Sequence, residues 1–351
     1  MGRRINQAIG IQGCGYSVPP HIRRNDDPIF HHIKKAVNSR GVAEKDLFIG
    51  LRERRYLNGD EQLETLMIEA AHLALLQARL APEDIDRLYG YASVSPYLTP
   101  NALYAIHRGL KLSERTLVVP INSEFSNFLI SVIQAWEAIA VGHSRNALIV
   151  CGTNWTKYMD YTQGHALSIG DGAGAVVVGP GGHFVLVDYA MQTLSEQYGT
   201  MTMQTRASIL HGRPHILVDK QNIPIPSYEI NSEEGLNQTF LVSAMHGLPQ
   251  MVHILLKRHG LAGRKIALVT HQASRVLMDH WEESLQPKQY LDTLELFGNL
   301  TLASYPVNLA YHFSNITADY LVFAAVGVGY HQVALLLARP HCVPSKRAWF
   351  R

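Results

Sequence analysis

Cysteine is scarce. The 351 residues hold three, Cys14, Cys151 and Cys342, far apart and odd in number. With no CxxC pair they outline neither a disulfide framework nor a zinc knuckle, and a reducing cytoplasm is the expected compartment. Charge is scarce too: 17% of residues are charged and the formal net charge is +2. That excludes binding to nucleic acid or membrane by bulk electrostatics, although Arg52, Arg54 and Arg55 form a basic cluster able to meet a local acidic partner. No apolar h-region with a small-residue cleavage site follows the N-terminal arginines, and Asn6 breaks the myristoylation pattern, so no export signal is expected. Histidine is abundant at 18 residues, yet none falls in HExxH, and the adjacent pair His31 and His32 diverges on any regular element; no metal centre is expected. Nor does a GxGxxG open a helix after a first strand, which speaks against a dinucleotide enzyme and leaves no cofactor expected. The most membrane-like run, residues 320–338, carries His331, Gln332 and several glycines in its middle, so two buried strands joined by a turn explain it better than a spanning helix.

What is present is a globular composition, 47% hydrophobic, in a chain long enough for one large α/β unit or two domains. Its most informative feature is a weak internal repeat. A helical pattern at 65–80 leads to a short strand at 87–93, and a second at 240–260 leads to a strand at 265–274. Downstream, the helix at 128–142 precedes the strand NALIVCG, and the helix at 305–313 precedes YLVFAAVG. Each half then adds an apolar strand, AGAVVVG at 173–179 and QVALLLA at 332–338. Strands this uniformly apolar are covered on both faces. The expected fold is α/β, a five-layered α/β/α/β/α sandwich built from two pseudo-duplicated halves, residues 1–187 and 237–351. Between them, residues 188–236 are rich in Pro, Gly and polar residues and read as an irregular insertion forming a pocket wall.

Several segments, in order and at compatible spacing, resemble the β-ketoacyl-acyl-carrier-protein synthase III family of the thiolase superfamily. GLRERRYL (50–57) is similar to its GIRER segment, SIGDGAGAVVV (168–178) to FGDGAGA, and THQASR (270–275) to the HQAN histidine motif. FGNLTLASYP (297–306) is similar to the YGNTSAAS asparagine motif, and VGVGY (326–330) to its glycine-rich turn. A lone GDGAG is merely a tight turn; five motifs in order are specific. The resemblance implies the fused double-half fold, a dimer, and acyl transfer from coenzyme A to a cysteine followed by condensation on acyl carrier protein. His271 and Asn299 match the family's histidine and asparagine, donors able to hold a thioester oxygen as negative charge builds, and Gly327, Val328 and Gly329 match the turn beside the oxyanion. Arg264, Lys265 and Arg275 are candidates for docking a carrier protein. Considered alone, His271 also reads as a core histidine at a strand end.

The family's cysteine belongs in the first turn of the first central helix, where the dipole lowers a thiol pKa. Counting back from ALIVCG places Phe125 there, within INSEFSNF, and a phenyl ring cannot be acylated. None of the three cysteines falls at a position to replace it. Ser126 is a candidate nucleophile if a base such as His271 reaches it, or simply a helix-start residue bonding local N–H groups. Glu124 is a candidate general acid or base with a raised pKa, or a carboxylate neutralised by the helix dipole or by a dimer partner. Glu44 and Phe48 stand where the family has the Trp and Arg that hold the coenzyme A adenine, Ser274 replaces the histidine motif's Asn, and Val328 replaces the turn's middle glycine. Two functions compete: an atypical acyltransferase or decarboxylase on coenzyme A or carrier-protein thioesters in fatty-acid or polyketide-type biosynthesis, and a non-catalytic subunit or carrier-protein dock paired with a cysteine-bearing synthase.

Overall fold

The computed structural model describes residues 8–31, 33, 49–198, 201–205, 207–210, 213–216, 226–230 and 238–343. Its first half runs through β1 (Ile9–Ser17), the ribbon strands β2 (Ile22–Arg24) and β3 (Glu53–Arg55), α1 (Leu63–Ala78), β4 (Arg87–Ala92), α2 (Leu103–Gly109), β5 (Leu117–Pro120), α3 (Asn127–Ala140), β6 (Ala147–Thr153) and β7 (Gly172–Pro180). The second half begins with β8 (Phe184–Thr193), which straddles the boundary expected at 187/188. It continues through β9 (Met201–Thr205), β10 (Ala207–Leu210), β11 (Arg213–Ile216), β12 (Pro226–Ile230), α4 (Gln238–Arg258), β13 (Ala267–Thr270), α5 (Arg275–Leu285), β14 (Gln289–Tyr290), α6 (Leu294–Phe297), α7 (Ser304–His312), β15 (Tyr320–Gly327) and β16 (His331–Ala338).

Strand order makes the duplication explicit. The first half is ordered β5-β4-β6-β7-β1 and the second β14-β13-β15-β16-β8. In each series the first two pairings are parallel and the last two antiparallel. The leading strands of the two halves meet through Gly10 with Val185 and Ile11 with Phe184, which joins the sheets edge to edge. The run at 320–338 forms β15 and β16, an antiparallel pair, as its central polar residues require; no described helix is long and apolar enough to cross a membrane.

Alternation along the strands separates the layers. Leu148 and Val150 of β6 pack outward against α1 and α2, whereas Ile149 and Cys151 face inward. Likewise Val322 and Ala324 of β15 pack against α4 and α5, while Leu321 and Phe323 face inward. The inward faces of both sheets enclose α3 and α7, whose Phe128, Leu129, Val132, Tyr305 and Leu309 complete one shared core. The result is the five-layered α/β/α/β/α sandwich. Lying between two sheets, α3 buries side chains around most of its circumference, each large apolar one stabilising the fold by ~1.5–3 kcal/mol.

The insertion differs from the irregular segment expected. Its described residues form two antiparallel pairs, β9 with β12 and β10 with β11. The side chains of residues 204–243 lie outside the described set, so most of the pocket wall expected at 188–236 lies outside it as well.

A backbone clasp holds the halves together near the centre. Gly170 N–H donates to the Asn299 carbonyl at 3.1 Å, and Asn299 N–H donates to the Ser168 carbonyl at 2.6 Å. A Cβ on Gly170 would stand 2.0 Å from the Phe297 carbonyl oxygen, so only glycine permits this approach. Gly170→Ala is expected to destabilise the protein by about 2–3 kcal/mol, read as a lowered urea midpoint at unchanged slope.

Candidate functional site

The entry to α3 presents Glu124, Phe125 and Ser126 in succession, with Ser126 as the N-cap and all three buried. The end of β13 delivers His271, the clasp delivers Asn299, and the turn between β15 and β16 closes over the helix start. The Val328 N–H of that turn donates to the Glu124 carbonyl, so the two halves meet backbone to backbone here.

Phe125 stacks on the His271 ring, with centroids 4.8 Å apart and planes 18° from parallel. Burial pushes the His271 pKa down to about 4, so the imidazole is neutral at pH 7. Among the described residues its buried Nδ1 has no hydrogen-bond partner. Asn299 Oδ1 accepts from Thr301 N–H at 2.9 Å, which leaves its Nδ2 as the group able to donate to a ligand.

Glu124 Oε1 accepts from the Ser93 hydroxyl at 2.8 Å. Burial raises its pKa to about 7, while hydrogen bonds from Ser93 and the Trp155 indole act in the opposite direction. These partners lie within the chain, so the carboxylate needs no dimer partner to hold it. A second buried carboxylate, Asp171 of the GDGAG run, accepts from Leu57 N–H at 2.9 Å and Thr156 N–H at 3.0 Å, with the Thr156 hydroxyl also donating. Asp171 therefore ties the GLRERRYL segment to the turn after β6 and is a structural group.

Several expectations need correction. His271 faces Phe125, and the histidine bonded to Ser126 is His331, at the start of β16. The Ser126 hydroxyl caps no helix N–H; it bonds His331 Nε2 and the Ser123 carbonyl, the latter at 3.2 Å. Of the turn expected to face an oxyanion, Val328 has its N–H committed to Glu124. Arg275 is held by Asp292 at 3.1 Å, a pair only about a quarter exposed. Arg264 and Lys265 are exposed but precede β13, whereas His271 follows it, placing them roughly 20 Å away along the strand at ~3.3 Å per residue. Cys14 and Cys151 are buried with thiol pKa values pushed far up, and all three cysteines are free. Glu44 and Phe48 lie outside the described residues.

His331 is the functional candidate that sequence reasoning missed. A signal was present: it is a polar residue opening a strand otherwise almost wholly apolar, directly after the glycine turn.

A profile of the 3-oxoacyl-[acyl-carrier-protein] synthase III family matches residues 120–195, the stretch from the α3 entry through β8. The chloroplastic β-ketoacyl-[acyl-carrier-protein] synthase III of Arabidopsis thaliana is 28% identical over 338 residues, covering 88% of this chain and 76% of the relative. The synthase III of Rhodospirillum centenum is 26% identical, covering 93% and 98%. Among solved structures, 3-oxoacyl-(acyl carrier protein) synthase III from Pseudomonas aeruginosa superposes with a TM-score of 0.76 at 20% identity, covering 95% of this chain and 99% of that one. The priming β-ketosynthase of a polyketide biosynthetic pathway gives 0.74 at 21%, covering 97% and 100%. Two equivalent five-stranded halves around a pair of buried helices thus define a thiolase-fold protein. Within that class, the chain is similar to the β-ketoacyl-acyl-carrier-protein synthase III proteins.

Because the folded-state pKa of Glu124 is raised, its contribution to stability is full below the unfolded value near 4.5 and is lost as pH rises through about 7. Relative to Glu124→Gln, the wild type should lose on the order of 2–3 kcal/mol between pH 5 and pH 8, measured by urea unfolding at both. Parallel pH profiles for the two proteins would show that the carboxyl group is not held protonated.

Proposed function

We propose that the protein acts on acyl thioesters of coenzyme A or acyl carrier protein, by acyl transfer, condensation or decarboxylation, in fatty-acid or polyketide-type biosynthesis. Phe125 takes the place of the nucleophilic cysteine. The observation that carries this reading is the Phe125–His271 stack at the entry to α3, because it sets the histidine at the helix start where the family's thiol would stand. Neutral His271 and the Asn299 amide are suited to donate to a thioester oxygen, and a buried site strengthens such bonds as charge develops. Glu124, with a pKa near neutrality, is suited to give or take a proton there. Free cysteines support a cytoplasmic setting.

Assembly with a second subunit is part of this reading. Among the described residues β5 is an edge strand on which Leu117 is 51% exposed, and in the loop after β4 Tyr97 is 68% and Leu98 96% exposed. Apolar groups this exposed beside an unpaired edge favour a homodimer or a heterodimer with a related synthase. A second reading, a non-catalytic subunit or carrier-protein dock beside a cysteine-bearing synthase, is favoured by the same stack if the phenyl ring fills the place of the acyl group.

Thiol release from a panel of acyl-CoA and acyl-carrier-protein thioesters separates these readings. Turnover that falls on the order of 10²–10³-fold in His271→Ala and Asn299→Ala is the expected result. Inertness toward the whole panel, with a cysteine-bearing homologue co-purifying, would select the non-catalytic subunit.

A further inference from the structure

Ser126 and His331 form a pair that the synthase III chemistry does not account for. Ser126 is wholly buried at the start of α3, and its Oγ is in hydrogen-bond contact with His331 Nε2. A second hydroxyl, Ser123 Oγ, meets the same nitrogen at 3.0 Å, and the backbone of Val328 also hydrogen-bonds the ring. The imidazole is thus fixed from two sides, with Nε2 aimed at hydroxyl groups. Gly327 makes room for the pair: a Cβ there would stand 2.8 Å from Ser126 Oγ and 2.7 Å from His331 Cε1.

We infer that Ser126 is the acyl acceptor of this protein and His331 its general base, the serine standing one residue after the position of the lost cysteine. This rests on the thioester reading above. A serine needs a base that a low-pKa thiol does not, because its hydroxyl is barely ionised at neutral pH. His331 sits at hydrogen-bond reach, and burial lowers its pKa, which keeps the ring neutral and able to accept a proton. Neighbouring first-turn N–H groups of α3, unpaired within the helix, lie beside the oxygen that attacks.

The step balances without another reactant. Ser126 Oγ forms a bond to the thioester carbonyl carbon as its proton passes to His331 Nε2. The carbon–sulfur bond then breaks, and the leaving sulfur takes that proton to depart as a free thiol. The product is an acyl-serine ester, which water cleaves to return the hydroxyl and release a carboxylic acid.

The test is covalent labelling of the full-length protein with phenylmethanesulfonyl fluoride and a small alkyl fluorophosphonate, mapped by peptide mass spectrometry, alongside acyl-CoA incubation followed by intact-mass measurement. Ser126 should carry the label and the acyl group. Both should be absent in Ser126→Ala and on the order of 10²-fold slower to form in His331→Gln, which keeps a hydrogen-bonding side chain without a base. Ser126→Cys, with a thiol at the same site, should become labelled by iodoacetamide and confirms that the site folds. Labelling of Ser126 at an unchanged rate in His331→Gln would overturn the role of the histidine, and no modification of Ser126 would overturn the proposal as a whole. Thiol release without any adduct on Ser126 removes this inference and leaves the thioester reading standing. A Ser126 labelled by the fluorophosphonate without acylation by, or turnover of, any thioester overturns the acyl-acceptor role together with the thioester reading.

Discussion

A helix buried between two sheets around most of its circumference leaves its first turn as the place where unpaired backbone N–H groups can meet a ligand. α3 is such a helix, and the architecture of the site follows from that constraint. The sheets fix the helix, and the helix fixes where Glu124, Phe125 and Ser126 stand. The turn between β15 and β16 then has to close against them, which it does through the Val328 N–H and the Glu124 carbonyl. Asn299 is held in the clasp with Ser168 and Gly170, where glycine allows the two backbones to touch. Each site residue is therefore held by main-chain contacts that do not depend on its own side chain, and the side chains at those positions can change while the frame persists. The proposed replacement of a cysteine by Phe125 within this fold would be an instance of that freedom.

Much of the fold was legible in the sequence, for a physical reason. Strands buried on both faces must be apolar throughout, so β6, β7, β15 and β16 announced themselves as unbroken runs, and the helices before them showed a period near 3.6. Strand order was not legible, since pairing partners lie tens of residues apart and no local pattern records them. The insertion was misjudged because its strands are short and, among the described residues, pair with each other, and such ribbons leave a weak alternating signal.

The site was half legible. His271 and Asn299 could be found through their neighbours, the HQAS and FGN segments, which resemble family motifs. Partnership was another matter. That His271 faces a phenyl ring and His331 faces a serine depends on which way side chains turn across gaps of 146 and 205 residues, and spacing carries no such information. Glu124 was recognisable as unusual because a carboxylate beside apolar residues is costly; its actual partners, Ser93 and Trp155, belong to loops after β4 and β6 that gave no warning.

The contacts at the α3 entry also bear on how such a protein can change over generations. Ser126 stands in the first half and His331 in the second, so neither half holds a complete pair. A drift in one copy is visible to selection only through the other, and a recombination event that exchanged halves between relatives would unite a hydroxyl or a thiol with a turn shaped for something else. The two halves, equivalent in strand order, are complementary at the α3 entry, where each supplies one member of the pair.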